Sequence, residues 1–202
     1  MMRLLLLAGL ALFPMAAAAQ SDLSKKALAQ LDALADRIAL VDPGEVPETL
    51  LLATLAFAEL PGERPLAEQV AGLHLGAMEA LERKASVLAL AGYLDDRLSR
   101  EAIARVYAAT IFYGRNCYGY QDAVRGLARR TPSSAEDEVW LALAALPRSP
   151  SWYLTDRSAL KARVALIVDA METSNLVTKA RADRLRDLPL ASVDSGGGCS
   201  GR

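Results

Sequence analysis

Five charged or amide side chains could bind or activate a substrate in this chain. Glu59 follows an apolar run, where burial would raise the pKa of its carboxyl group and make it a base, but the proline that follows could leave it exposed. Arg83 and Lys84 could together hold an anion, or lie on a solvated stretch of helix. Gln69 could donate to a ligand or be a surface amide. Arg163 could orient a phosphate, although a structural salt bridge is the expected role.

Composition excludes several other kinds of site. His74 is the single histidine, which rules out a metal site built from several histidines, and we expect it to pack within a helix. The chain has no Gly-rich phosphate loop, paired-cysteine zinc motif or G-x-S-x-G sequence. Lys and Arg total 23 against 24 for Asp and Glu, giving a net charge of −1. Without a global basic field, no nucleic-acid partner is expected.

The first residues resemble a signal peptide. Residues 1–19 comprise a short charged start, an apolar run and a small-residue stretch, which predicts cleavage after Ala19. The mature protein would then be periplasmic or secreted, and an uncleaved chain would be membrane-anchored. An oxidising compartment permits a disulfide between Cys117 and Cys199, although the Gly-rich segment before Cys199 could instead leave it mobile.

Helical periodicity dominates the rest of the sequence, and no stretch alternates well enough to predict a strand. One all-α domain is predicted over residues 20–190, followed by a polar, Gly-rich tail over 191–202 that we expect to be disordered. The predicted helices cover residues 22–40, 47–59, 65–94, 99–112, 120–129, 134–146, 156–173 and 175–187.

Two stretches match motifs of a known family in residue type and spacing. From Leu98 to Tyr120 the chain contains L-S-R-E-A-I and then I-F-Y-G-R-N-C-Y-G-Y. These resemble L-S-K-x-x-I-L-x-x-Y-L-N and F-G-x-x-x-Y-G of the peptidoglycan glycosyltransferases of glycosyltransferase family 51. From Leu146 to Tyr153 the chain reads L-P-R-S-P-S-W-Y, similar to the family's L-P-Q-A-P-S-x-Y. Arg163 begins a segment with the spacing of R-x-x-x-V-L-x-x-M.

The upstream matches are shorter. Gly62 and Gln69 occupy the first and last positions of the family's G-G-S-T-I-T-Q-Q. Arg83 and Lys84 begin its R-K-x-x-E, and Glu59 is the best candidate for the first residue of E-D-x-x-F-x-x-H-x-G-x-D. The similarity therefore extends from about residue 47 to about residue 190.

The resemblance implies a lysozyme-like helical domain and a specific chemistry. Enzymes of this family extend a glycan from lipid II: a carboxylate takes a proton from the acceptor hydroxyl, and a lipid pyrophosphate leaves. By the resemblance, Glu59 would be that base. Gln69, Arg83, Lys84 and Arg163 would bind the substrate.

Several family residues are replaced in this chain. Leu60 stands where the first motif has Asp, and its later His and second Asp are missing because Pro61 leads directly to Gly62. Val87 replaces the second catalytic carboxylate, and Ala109 replaces the Asn of Y-L-N. Catalytic groups act as a unit, so these losses predict a degenerate domain of cell-wall assembly that binds lipid II, a glycan strand or a synthesis protein.

Two alternatives remain open at this point. The chain could be an active glycosyltransferase in which Glu59 works with Glu63 or Glu68. A divalent metal is expected only in that case, and no other cofactor is implied. The chain could instead be a periplasmic protein-interaction module, whose former cleft would be filled by apolar side chains between Glu59 and Arg83.

Overall fold

A computed structural model describes residues 13–75, 80–193 and 197–199 of the 202-residue chain, with side chains at 25–75, 83–193 and 197–199. Most of the predicted signal peptide, residues 1–12, lies outside the described residues, and residues 13–19 belong to the first helix. No helix in the described ranges combines the length and apolar character needed to cross a membrane.

The predicted all-α class is confirmed. The helices are α1 (Phe13–Ala39), α2 (Glu48–Phe57), α3 (Leu66–His74), α4 (Ala80–Arg97), α5 (Arg100–Thr110), α6 (Tyr120–Gly126), α7 (Asp137–Ala145), α8 (Pro150–Tyr153), α9 (Arg157–Thr173) and α10 (Lys179–Asp187), with a 3-10 turn at Leu146–Arg148 between α7 and α8.

Helix α2 lies at the centre of the domain. It packs against α5, α7 and α9, and eight of its ten residues are buried. The sequence of α2, E-T-L-L-L-A-T-L-A-F, is apolar almost all round, as expected for a helix enclosed by other helices. Helix α7 is similarly buried from Val139 to Ala145. The end of α2 therefore fixes the position of the loop that follows it.

Two predictions about secondary structure are wrong. The helix predicted over 65–94 is divided into α3 and α4, because Leu75 adopts an extended backbone after α3. Where no strand was predicted, β1 (Phe112–Gly114) pairs with β2 (Cys117–Tyr118) in an antiparallel hairpin. The two residues between these strands, Arg115 and Asn116, have φ values of 49° and 61°, the left-handed conformation that two-residue hairpin turns require.

The described part of the predicted disordered tail is packed against the domain. Ala191 and Val193 are buried, and the Arg157 guanidinium donates to the Leu190 carbonyl at 3.1 Å. Cys199 forms a disulfide with Cys117 across 82 positions of sequence. The Gly-rich composition predicts disorder here, but the buried side chains of Ala191 and Val193 and the disulfide at Cys199 hold the described residues against the domain.

Removing the disulfide should destabilise the domain. The C117S/C199S variant gains the unfolded-chain entropy that the crosslink removes, so its free energy of unfolding should fall by about 2 to 5 kcal/mol. Urea denaturation of both proteins, with and without a reducing agent, measures the change. The reducing agent should weaken the wild type and leave the variant unaffected. Equal stabilities of oxidised wild type and variant would contradict a structural role for this bond.

Candidate functional site

The candidate base, Glu59, lies in the turn after α2. Its side chain is 48% exposed and forms an ion pair with the Arg100 guanidinium. Arg100 also donates to the Leu55 carbonyl at 3.3 Å, which holds it beside the end of α2. Glu59 thus faces solvent next to a cation.

Glu63, four residues later, is the enclosed carboxylate of this region. Only 6% of its side chain is exposed. Its Oε1 atom accepts a hydrogen bond from Arg163 Nη2 at 2.7 Å, and Arg148 Nη1 lies 3.1 Å from the same oxygen. Arg148 also donates to the Gly62 carbonyl at 3.1 Å. Two guanidinium groups therefore share one carboxylate oxygen.

Arg163 is a buried residue of α9 that forms an ion pair with Glu63. A structural salt bridge is the role expected for it from the sequence. Its side chain is 10% exposed, and its guanidinium lies over the Phe57 ring, 5.2 Å from the ring centroid. Its Nε atom is buried and has no hydrogen-bond acceptor among the described residues. Arg163 thus joins α9 to the last residue of α2 and to the loop beyond it.

Gln69, on α3, contacts the C-terminal end of the loop between α2 and α3. Its Nε2 atom donates to the Arg64 carbonyl at 2.7 Å, and its Oε1 accepts from the Tyr107 hydroxyl at 3.3 Å. Burial raises the pKa of Tyr107 well above its ordinary value, and the negative charge of Glu63 adds to the increase. The amide of Gln69 therefore has protein partners on both sides, in the loop and on α5.

The basic pair lies on α4 and makes contacts of a different kind. Arg83 Nη2 donates to the Gly72 carbonyl at 3.0 Å, one of the last carbonyl groups of α3, while Lys84 is exposed. A cation at this place stabilises a helix C-terminus. Arg83 thus has a structural contact that joins α3 and α4, and Lys84 is the member of the pair that faces solvent.

Two positions that the motif comparison singled out carry packed apolar side chains. Val87 is buried on α4, and Ala109 is half-buried near the end of α5. His74 ends α3, and burial lowers its pKa. Within the described ranges, no three His, Cys, Asp or Glu side chains are grouped closely enough to hold a metal ion.

The structure brings Gln69 and Arg163 together through the loop that contains Glu63 and Arg64, whereas Glu59 and Arg83 contact other residues. From the sequence, Glu63 is expected only as a substitute base, and neither Arg148 nor Tyr107 is a candidate site residue. Arg148 carried one signal, because it stands where the family motif has a Gln. No comparable feature of the sequence indicates that the Glu63 side chain is enclosed.

Comparison with known proteins identifies the family of the chain. Residues 42–172 match the family model described as Transglycosylase, which covers more than half of the chain. The chain therefore belongs to the transglycosylase family, and the predicted resemblance is confirmed.

Its relatives are much longer proteins. Over 139 residues the chain is 29% identical to penicillin-binding protein 2D of Bacillus subtilis (strain 168), covering 67% of this chain and 20% of that protein. Over 147 residues it is 24% identical to penicillin-binding protein 1A of Neisseria flavescens, covering 71% and 18%. The crystal structure of penicillin-binding protein 1A from Haemophilus influenzae aligns with a TM-score of 0.45 at 16% identity, covering 77% of this chain and 17% of that one. The chain spans about a fifth of the length of these relatives.

The two ion pairs should differ in their contribution to stability. R163A leaves the enclosed Glu63 without its nearest cation and should lower the free energy of unfolding by about 3 to 5 kcal/mol. R100A removes an exposed pair and should cost less than about 1 kcal/mol. Chemical denaturation of both variants beside the wild type measures the difference. Similar losses in the two variants would show that burial does not distinguish these pairs.

Proposed function

We propose that the chain is a catalytically degenerate transglycosylase domain of bacterial cell-wall assembly, which binds lipid II or a peptidoglycan glycan strand without polymerising it. The observation that carries the proposal is the state of its two candidate carboxylates. Glu59 is exposed and paired with Arg100, and the Glu63 oxygen is shared by two guanidinium groups. Each is engaged in an ion pair.

Glycosyl transfer needs a carboxylate that can accept the proton of an acceptor hydroxyl at hydrogen-bond distance. Only 6% of the Glu63 side chain is exposed and its Oε1 atom already contacts two guanidinium groups, which leaves an acceptor hydroxyl little access to this carboxylate. Glu59 is exposed and paired with Arg100, and the buried Val87 stands where the family motif has its second carboxylate. Because such groups act together, these changes support the loss of transfer activity.

The binding part of the proposal rests on family membership and on Lys84. This residue is exposed on α4 in the register of the family's basic pair, so its ammonium group is accessible to a pyrophosphate. Arg83 already donates to α3 and would add charge beside it. We further propose a periplasmic or secreted location after removal of residues 1–19. The Cys117–Cys199 disulfide supports this location, because disulfides persist in oxidising compartments.

Incubation of the chain lacking residues 1–19 with labelled lipid II and a divalent metal should yield no glycan polymer above a no-enzyme control. The physical reason is that Val87 stands in place of the family's second carboxylate, and that Glu59 and Glu63 both form ion pairs with arginines. Gel separation of the products is the measurement, with an active transglycosylase as the positive control. Polymer that disappears in E59Q or E63Q would instead establish the active-enzyme alternative and identify its base.

Loss of the basic pair should weaken lipid II binding. R83A/K84A should cost about 1 to 3 kcal/mol of affinity, the scale of hydrogen bonds to charged groups, and binding should weaken as salt is added. Calorimetric titration measures the affinity, and circular dichroism checks that the variant is folded. The single variant K84A measures the contribution of the exposed lysine to the affinity, because it leaves the contact between Arg83 and α3 intact.

The matched control is K25A/K26A, which removes the same charge from an exposed stretch of α1. It should bind lipid II like the wild type. Equal losses of affinity in the two double variants would mean that the net charge of the protein, and not the position of the lysine and arginine, determines lipid II binding. If no protein binds lipid II, the protein-interaction module becomes the better interpretation.

A further inference from the structure

We propose that Glu63 is an internal ligand that closes an oxyanion site formed by Arg163 and Arg148. In the absence of the Glu63 carboxylate, this site would accept a small oxyanion such as a phosphate or carboxylate group. The proposal concerns the loop between α2 and α3 and does not depend on whether the chain binds lipid II.

The first observation is that Glu63 uses only part of the donor set of Arg163. A guanidinium group binds an oxyanion best through two parallel N–H groups, each directed at a different oxygen. Here the Nη2 atom donates to Glu63 Oε1 at 2.7 Å, while the buried Nε atom has no acceptor among the described residues. A buried donor without a partner is uncommon and needs an explanation. The geometry suits an anion that presents two oxygens to this group.

The second observation is the local charge. The guanidinium groups of Arg163 and Arg148 approach the same oxygen of Glu63, at 2.7 and 3.1 Å. One carboxylate compensates only one of these two positive charges. The remaining positive charge is shared by the two guanidinium groups. The Arg163 side chain is enclosed, whereas the Arg148 side chain is 50% exposed. An anion from solvent can therefore contact Arg148 first, and removal of the Glu63 side chain would open space next to Arg163.

The third observation is that a short, anchored loop presents the carboxylate. Gly62 has a φ of 83°, which favours glycine, and the Glu63 amide donates to the Leu60 carbonyl at 3.1 Å. Arg148 and Gln69 bond to the carbonyls on either side of Glu63, those of Gly62 and Arg64. The loop is therefore fixed on both sides of the residue. A fixed intramolecular anion competes with free anions at a high effective concentration.

The test uses inorganic phosphate as the probe and two Glu-to-Ala variants that change net charge equally. In calorimetric titrations, E63A should bind phosphate at least about tenfold more tightly than the wild type, because the competing carboxylate is gone and the arginines remain. E59A removes the exposed glutamate instead and should bind like the wild type. E63A/R163M should lose the binding gained by E63A. Binding gained equally in E59A and E63A, or retained in E63A/R163M, would overturn the proposal.

A second measurement covers the case in which E63A does not fold. E63Q keeps the size of the side chain and an oxygen acceptor for Arg163, but it removes the negative charge. Phosphate should raise the melting temperature of E63Q more than that of the wild type or of E59Q, since an anion that binds the folded state stabilises it. Equal shifts in the three proteins would overturn the proposal. Neither assay contains lipid II, so failure here and failure to bind lipid II are separate results.

Discussion

The ion pair between Glu63 and Arg163 connects parts of the chain that are 100 positions apart in sequence. Removing two charges from water is expensive, and their attraction offsets that cost only if the surrounding groups are well placed. Phe57 provides the ring beneath the guanidinium, and Arg148 approaches the carboxylate from the other side. The end of α2, the following loop and α9 must therefore keep one arrangement relative to each other.

The family scaffold is preserved around this pair because its stability comes from apolar burial elsewhere. Helices α2 and α7 are enclosed on nearly all sides, and Tyr113 and Tyr120 are almost completely buried near the hairpin. At Gly126, an added Cβ atom would lie 2.5 Å from the Cys199 sulfur, so glycine allows the tail to reach α6. The disulfide joins the tail to the hairpin, and the apolar core, which includes Val87, holds the helices together.

Local signals in the sequence were enough to predict much of the fold. Residues 156–173 and 175–187 were predicted as helices close to α9 and α10, because their apolar residues recur on one face. The hairpin was missed because Arg115 gives no sign of a positive φ, although the neighbouring Asn116 tolerates one. The role of Glu63 was missed for another reason. Burial of a carboxylate depends on a partner, and no sequence pattern relates position 63 to position 163.

The apolar side chain at position 87 suits its place in the core. Val87 is buried on a helix that packs against α1 and α3, where an unpaired carboxylate would cost free energy unless a ligand or cation compensated it. Catalytic sites commonly keep such unfavourable groups at the expense of stability. An apolar side chain such as that of Val87 avoids this cost. Glu63 differs from Val87 because two guanidinium groups contact its enclosed carboxylate, and this attraction offsets the cost of removing the group from water.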